Sequence, residues 1–477
     1  MFEQIKKLLG QKLIYGTGHI LARLVTFLLL PLYTNIFTAA EYGVISLAYV
    51  FMGFMGIVLH YGLDAALMKK YVQTRDHEQT AFLSSAYISL VVSSLIFGIL
   101  VTLSKNTLSL FVLGSAYPKL MVYIGWIILC DVLWSVPQLI LRAEEKPAAF
   151  ISFSLLNVIA TMILNLVFVL KLGLGIEGVL LSNLIVSGSL FFLTLPIILR
   201  RISLKSVSSV HWKQMMSFGL PFLPAGIFSM LIEIADRYFL KWLTDMETVG
   251  LYSAGYKMGV LMMLVVMGFN MGWQPFFLKQ GKDQKIVFAR ISTYVLAILG
   301  FLWILLHLWV DDIVRLQFGG ISFYGPAFWS STGIVSVIAL GYWFHGAYVL
   351  QMPGLFLQEK SKFLMMIRGI GALTNILLNL LLIPLYGAMG AAWATCASFA
   401  TMAIMIFIMN RRMFPIQYEW GRIIRIIALM TIIYILSNSL ILTNINKLIL
   451  SAVFPILLIL SGFMTKGERQ RFKNVFK

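Results

Sequence analysis

The chain has 477 residues, of which 60% are hydrophobic and only 12% charged, and it carries a formal net charge of +18. That much apolar surface cannot be hidden in a water-soluble domain, so lipid is the solvent for most of the chain. The basic excess lies in short connections between apolar runs rather than in one patch, which argues against a nucleic-acid partner.

A helix that crosses a bilayer needs about 20 apolar residues. Fourteen runs meet that length, near 13–36, 43–66, 81–103, 118–141, 148–170, 177–199, 216–240, 249–276, 287–310, 327–351, 363–385, 388–410, 421–441 and 446–465. With both termini placed in the cytoplasm, 28 of the 37 Lys and Arg residues fall on the inner connections. This is the positive-inside bias, and it predicts a multi-pass protein of the cell membrane with cytoplasmic ends. Cys130 and Cys396 both fall within predicted spans and suggest packing rather than a disulfide or metal site.

Chemistry is concentrated in a few spans. The first carries Gly16, His19, Arg23 and Thr26 at helical spacing, one polar stripe with no acid of its own. A cation at that depth must face protein or a wet cavity. Arg23 therefore either pairs with Asp64 or Asp131 or meets an anion in a cavity. The second span aligns Ser46, Tyr49, Gly53, Gly56, His60 and Asp64, with His60 and Asp64 one turn apart as candidates for proton handling. Asp131 sits in the middle of the fourth span. On the seventh, Glu233 and Arg237 have the spacing of a helical ion pair, leaving Asp236 as a spare carboxylate for a coupling proton or sodium ion. Lys257 on the eighth span has no acid nearby on its own helix and is a second candidate for an anionic substrate. Ser154, Asn157, Thr161 and Asn165 on the fifth span match Arg368, Gly371, Asn375 and Asn379 on the eleventh; such buried Asn residues glue helices together.

The chain also repeats itself. Ile163-Leu-Asn-Leu166 returns as Leu377-Leu-Asn-Leu380, and at the same offset Glu145-Lys146 falls on Glu359-Lys360 and Gly173 on Gly387. Thr38, Glu41, Gly43, Ser46 and Tyr49 are echoed by Thr244, Glu247, Gly250, Ser253 and Tyr256 with one inserted residue. Six spans per copy give a parallel repeat. The predicted fold is an all-α polytopic membrane protein of about 14 transmembrane helices: two pseudo-symmetric six-helix lobes at 1–200 and 214–410, a cytoplasmic linker at 201–213, and a two-helix hairpin with a basic tail at 411–477. Phosphate-binding loops and His-Glu-x-x-His are missing from the sequence, so no cofactor and no enzymatic activity are expected.

These residues resemble a known family. Phe27-Leu-Leu-Leu-Pro31-Leu-Tyr-Thr-Asn-Ile-Phe-Thr38-Ala-Ala-Glu41-Tyr42-Gly43, Tyr61-Gly62-Leu63-Asp64-Ala-Ala-Leu67, Gly272-Trp273-Gln274-Pro275-Phe276 and Leu378-Asn379-Leu380 with Pro384 and Gly387 are similar to the polysaccharide-biosynthesis flippases. Their superfamily also holds the lipid II flippases and the multidrug and toxin extrusion antiporters. The resemblance implies two lobes whose cleft opens to each side in turn, moving an oligosaccharide on undecaprenyl pyrophosphate from the inner to the outer leaflet. It implies that basic residues of the cavity engage the charged headgroup, and Arg23 and Lys257 match in placement; beside them the residues themselves offer Arg237, His19, Tyr49 and His60 as substrate-path candidates and Asp64, Asp131, Glu233 and Asp236 as candidates for ion coupling. The last two helices would form a groove for the lipid tail, and a glycan polymerase and glycosyltransferases of the same pathway would be partners. Span two departs from the basic cluster of lipid II flippases, having no internal Arg or Lys. A lipid II flippase and a cation-coupled multidrug antiporter remain the alternatives.

Overall fold

The computed structural model describes residues 29–464 apart from 361, together with residue 27. Arg23 and His19 lie outside the described residues. Twelve described helices are long and apolar enough to cross a bilayer, Asn444–Leu460 is a shorter apolar helix, and the helical segment 29–36 is the end of the first predicted span. The protein is thus an all-α, multi-pass membrane protein; its only described strands are two-residue pieces at Gln317–Phe318 and Ile321–Ser322.

The described chain forms two compact units, one ending at Ser253 and the other starting at Ala254, so the boundary falls within the helix Met246–Gly259. The first unit contains Ala39–His60, Leu63–Gln73, Asp76–Leu103, Pro118–Ala143, Pro147–Asn165, Gly175–Leu199, Ser209–Gly219 and Leu223–Leu243. The second contains Leu261–Gln280, Lys285–Arg315, Val335–Leu350, Lys362–Tyr386, Ala388–Met413, Trp420–Ser439 and Asn444–Leu460.

Local chemistry sets the helix ends. Thr38 and Glu41 close a capping box on Ala39–His60, each side chain bonding the other's backbone N–H. In the second copy Asp245, one residue after Thr244, takes the capping role, and its carboxylate accepts from Thr248 N–H at 2.7 Å. Pro118 and Pro147 open their helices where a missing N–H does no harm. The second predicted span, read as one helix through residue 66, is in fact broken. Tyr61 and Gly62 both adopt left-handed backbone, and a side chain at Gly62 would meet the Gly219 carbonyl oxygen at 2.0 Å. Glycine is required there on both counts.

The duplication seen in the sequence is present in the backbone. Glu145 and Glu359 both hold positive φ, at 54° and 56°, and the following Lys146 and Lys360 both donate N–H to a carbonyl five residues back at 2.8 Å. Asn165 and Asn379 are both fully buried, and each donates its amide to the carbonyl four residues earlier, at 2.8 and 2.9 Å. Asn165 also accepts from the Tyr33 hydroxyl at 2.8 Å, tying two helices together as expected of buried Asn in a membrane. On Lys362–Tyr386, Asn375 and Asn379 point inward while Leu373, Leu377, Leu380 and Leu381 are exposed. That inside-out pattern places leucine against lipid and amide groups against protein.

Candidate functional site

The sequence-derived candidates fall into three described groups. In the first unit, His60 ends its helix with Nδ1 2.5 Å from the Gly56 carbonyl oxygen. A carbonyl can only accept, so Nδ1 carries the proton. Nε2 then faces Ser135 Oγ at 2.8 Å and Asp64 at 3.8 Å, which makes it the nitrogen available for a second proton. Asp64 belongs to the helix after the Gly62 break, yet it stays beside His60. Nearby, Asp131 accepts from Trp134 Nε1–H at 3.0 Å, and Tyr49 accepts from the Asn183 amide at 2.8 Å. His60, Asp64 and Ser135 thus form one polar group across three helices.

The second group corrects an expectation. Asp236 is not spare: it is fully buried, it pairs with Arg237 Nη1 at 2.9 Å, and it accepts from the Tyr252 hydroxyl. Arg237 also donates to the Glu233 carbonyl oxygen, and its guanidinium lies 5.3 Å from the Tyr252 ring centroid. Tyr252, from the next helix, closes the group around Asp236, a contact that spacing along one helix does not reveal. Such a buried pair stands only with its hydrogen bonds complete.

The third group joins two copies of the same motif. Ser46 Oγ donates to Ser253 Oγ at 2.7 Å, and Gly43 and Gly250 lie against each other one turn earlier. A Cβ on Gly250 would meet the Ala39 carbonyl oxygen at 1.8 Å, and one on Gly43 would meet the Met246 carbonyl oxygen at 2.4 Å. Repeat-equivalent residues therefore meet across a self-matched seam of small side chains, a geometry that permits close backbone approach. Lys257 sits half-buried one turn beyond Ser253 on the same helix.

Sequence reasoning missed Glu144. Its carboxylate takes a two-pronged bond from Arg201 at 3.0 and 3.1 Å, one from the Tyr71 hydroxyl at 2.9 Å and one from Lys146 at 2.7 Å. Burial pulls the Glu144 carboxyl upward, but the bonds from Lys146, Tyr71 and Arg201 outweigh it and hold the group below the usual carboxylate range. Only its place beside the repeated Glu145-Lys146 pair marked it in the sequence.

In the second unit a cavity of about 290 Å³ opens between Lys285–Arg315, Val335–Leu350, Ala388–Met413 and the appended helix Trp420–Ser439. Trp303, Leu340, Trp343, Trp393 and Met430 line it, with Tyr434 beside His307 at its rim. His307 joins Ser336 and Ser437 at 2.7 and 2.8 Å, fastening the appended helix to the unit. Among the described residues no cluster of His, Cys, Asp and Glu is arranged to hold a metal ion.

Comparison with known proteins follows the same line. The family described as polysaccharide biosynthesis protein matches residues 9–281, more than half of the chain. An Lsg locus protein of Haemophilus influenzae is 25% identical over 360 residues, covering 71% of this chain and 85% of that protein. Among solved structures, the lipid II flippase MurJ in an inward closed conformation superposes with a TM-score of 0.73 at 17% identity, covering 94% of this chain and 97% of that one. An inward-facing multidrug resistance transporter of the MATE family superposes at 0.61 and 12% identity, covering 82% and 97%. The fold is that of flippases and transporters.

Proposed function

The chain belongs to the polysaccharide biosynthesis protein family, and from that premise we propose that it is a flippase for oligosaccharide units carried on undecaprenyl pyrophosphate. A pyrophosphate cannot shed its hydration into hydrocarbon unaided, because an unpaired charge in lipid is too costly. In this reading Arg23 and Lys257 replace that hydration while the glycan passes, and Arg237 stays neutralised within its own group. The lobes at 1–200 and 214–410 alternate in opening, and the loops rich in Lys and Arg face the cytoplasm of a bacterial cell membrane. A proton or sodium ion drives the cycle, with His60, Asp64 and Asp131 as the coupling groups. Glycosyltransferases supply the substrate and a polymerase consumes it.

The observation that carries this reading is the apolar cavity walled by the appended helix Trp420–Ser439. It supplies a lipid-compatible seat for a polyprenyl chain, which a carrier of soluble cationic drugs does not need. A second reading, a flippase for lipid II, draws support from the fold shared with MurJ. Reconstitution in liposomes with a fluorescent polyprenyl-pyrophosphate glycan tests the proposal. Wild-type protein should expose the label to an outer-leaflet quencher, and Arg23→Ala should abolish exposure while inserting normally. Normal flipping by that variant, or transport of lipid II alone, would overturn it.

A further inference from the structure

The membrane-crossing helix Gly175–Leu199 and the apolar stretch that opens at Ser209 are joined by residues 200–208 alone. A chain reaches at most ~3.5 Å per residue, so a connection this short, tethered at both ends, stays close to the membrane surface. The helix Asp76–Leu103 fixes which way it faces. Ser203 donates its backbone N–H to Ser84 Oγ at 2.9 Å. Ser208 donates N–H to Ser85 Oγ at 3.0 Å, and that hydroxyl returns a bond to the Ser208 carbonyl oxygen at 3.3 Å. Trp212 Nε1–H reaches Ser89 Oγ at 2.9 Å, and Arg201 is held on Glu144. At ~1.5 Å per residue, Ser89 lies one turn further into the span than Ser85, so the indole enters the bilayer just below the surface. That is the depth of the aromatic belts of membrane proteins.

The serines and Arg201 occupy the side turned toward the protein, and what remains outside is apolar and basic. Leu204 and Val210 are 74% and 60% exposed, and Val207 and Trp212 are exposed beside them. Arg200, Lys205 and Lys213 are exposed among these residues, and no Asp or Glu occurs between Glu177 and Glu233. Apolar side chains facing outward at this height meet the acyl boundary, and cations next to them meet phosphates. Continuity with the membrane-crossing stretches on both sides favours lipid, rather than a protein, as what covers this face.

We propose that residues 199–213 form a surface strap that seats Leu204, Val207, Val210 and Trp212 at the headgroup boundary and binds anionic phospholipid through Arg200, Lys205 and Lys213. The strap is separate from the passage of any substrate and stands whether or not a glycan is flipped. The connection between the two repeated halves thereby becomes sensitive to the charge of the leaflet.

The test uses the full chain carrying Cys130→Ser and Cys396→Ser, with a bimane fluorophore on Val210→Cys, in phosphatidylcholine discs free of polyprenyl lipid. Phosphatidylglycerol and phosphatidylcholine, each with a nitroxide near the top of one acyl chain, are titrated in as quenchers. Both should quench the label, and the anionic lipid should do so at a mole fraction at least about fivefold lower, the scale set by even one basic residue at a charged surface. The same fluorophore on Val92→Cys, exposed along Asp76–Leu103, should show no preference. Combining Arg200→Gln, Lys205→Gln and Lys213→Gln should bring the two lipids within about twofold of each other at the strap. Equal quenching with the basic residues intact, or an unchanged preference without them, overturns the binding of anionic lipid. A label reached by aqueous iodide but by neither lipid overturns the strap and leaves its apolar face to a protein. Should the triple variant fail to assemble, salt decides: the preference should fall as ionic strength rises, and a salt-independent preference refutes the proposal.

Discussion

Ser46 and Ser253 are the same residue in two copies of one motif, and they hydrogen-bond to each other at 2.7 Å. Contact between equivalent positions is what a two-fold relation between duplicated helices produces. The seam is held by small side chains and one hydroxyl pair rather than by interlocked bulk, so it can part without dismantling a core.

A disulfide across this seam should therefore stop the cycle. In a protein lacking Cys130 and Cys396, the pair Ser46→Cys and Ser253→Cys should lose flipping on oxidation and regain it with reductant. Each single variant should remain active in both conditions. Full activity of the oxidised pair would show that the seam does not open.

Bulk at the seam should be costly in proportion to the contact it breaks. Gly250→Ala places a methyl 1.8 Å from the Ala39 carbonyl oxygen and should destabilise by about 1–3 kcal/mol. Gly56→Ala, which meets nothing within 4 Å, should change stability by less than about 0.5 kcal/mol. Thermal midpoints in detergent measure both.

The Asp236–Arg237–Tyr252 group should behave as a unit. Asp236→Asn takes a carboxylate away from a buried guanidinium and should cost about 3–5 kcal/mol. Adding Arg237→Gln should cost less than the sum of the two single changes. A double-mutant cycle by denaturant titration checks this, and strict additivity would contradict the pairing.

The Glu144 cluster sets a pH dependence. Its carboxyl is held below the ordinary range in the folded protein, so its contribution is complete above the ordinary carboxylate pKa and is lost as pH falls through the lowered value. Stability should decline on acidification below about pH 4.5, where an unfolded Glu begins to gain its proton. Glu144→Gln should remove this part of the decline and leave the midpoint lower at neutral pH.

Filling the apolar cavity should separate tail from headgroup. Leu340→Trp should slow flipping of the full-length polyprenyl substrate about tenfold or more, while a short-chain analogue should be moved at near the wild-type rate. Equal effects on both would argue against a seat for the lipid tail.

Much of this architecture was legible because apolar length and repeated polar residues are local properties. Asn165 with Asn379 and Glu145 with Glu359 announced the duplication before any coordinate. The break at Gly62 was not legible, since the residues beyond it continue the polar stripe of the helix before it. What selects the break is the carbonyl of Gly219, far along the chain. Asp236 was misjudged because spacing on one helix cannot register a tyrosine arriving from another.

The different residues at the repeat-equivalent positions Asp131 and His345 bear on how such a protein can be rebuilt. Two copies of the front half, joined end to end, would restore most of the helical frame but would place a second aspartate where the histidine stands and a serine where Arg368 stands. The chimera would be a good container with the wrong interior. Whatever ancestor first doubled this chain, its descendants since assigned the twins separate duties, and neither can now stand in for its sibling.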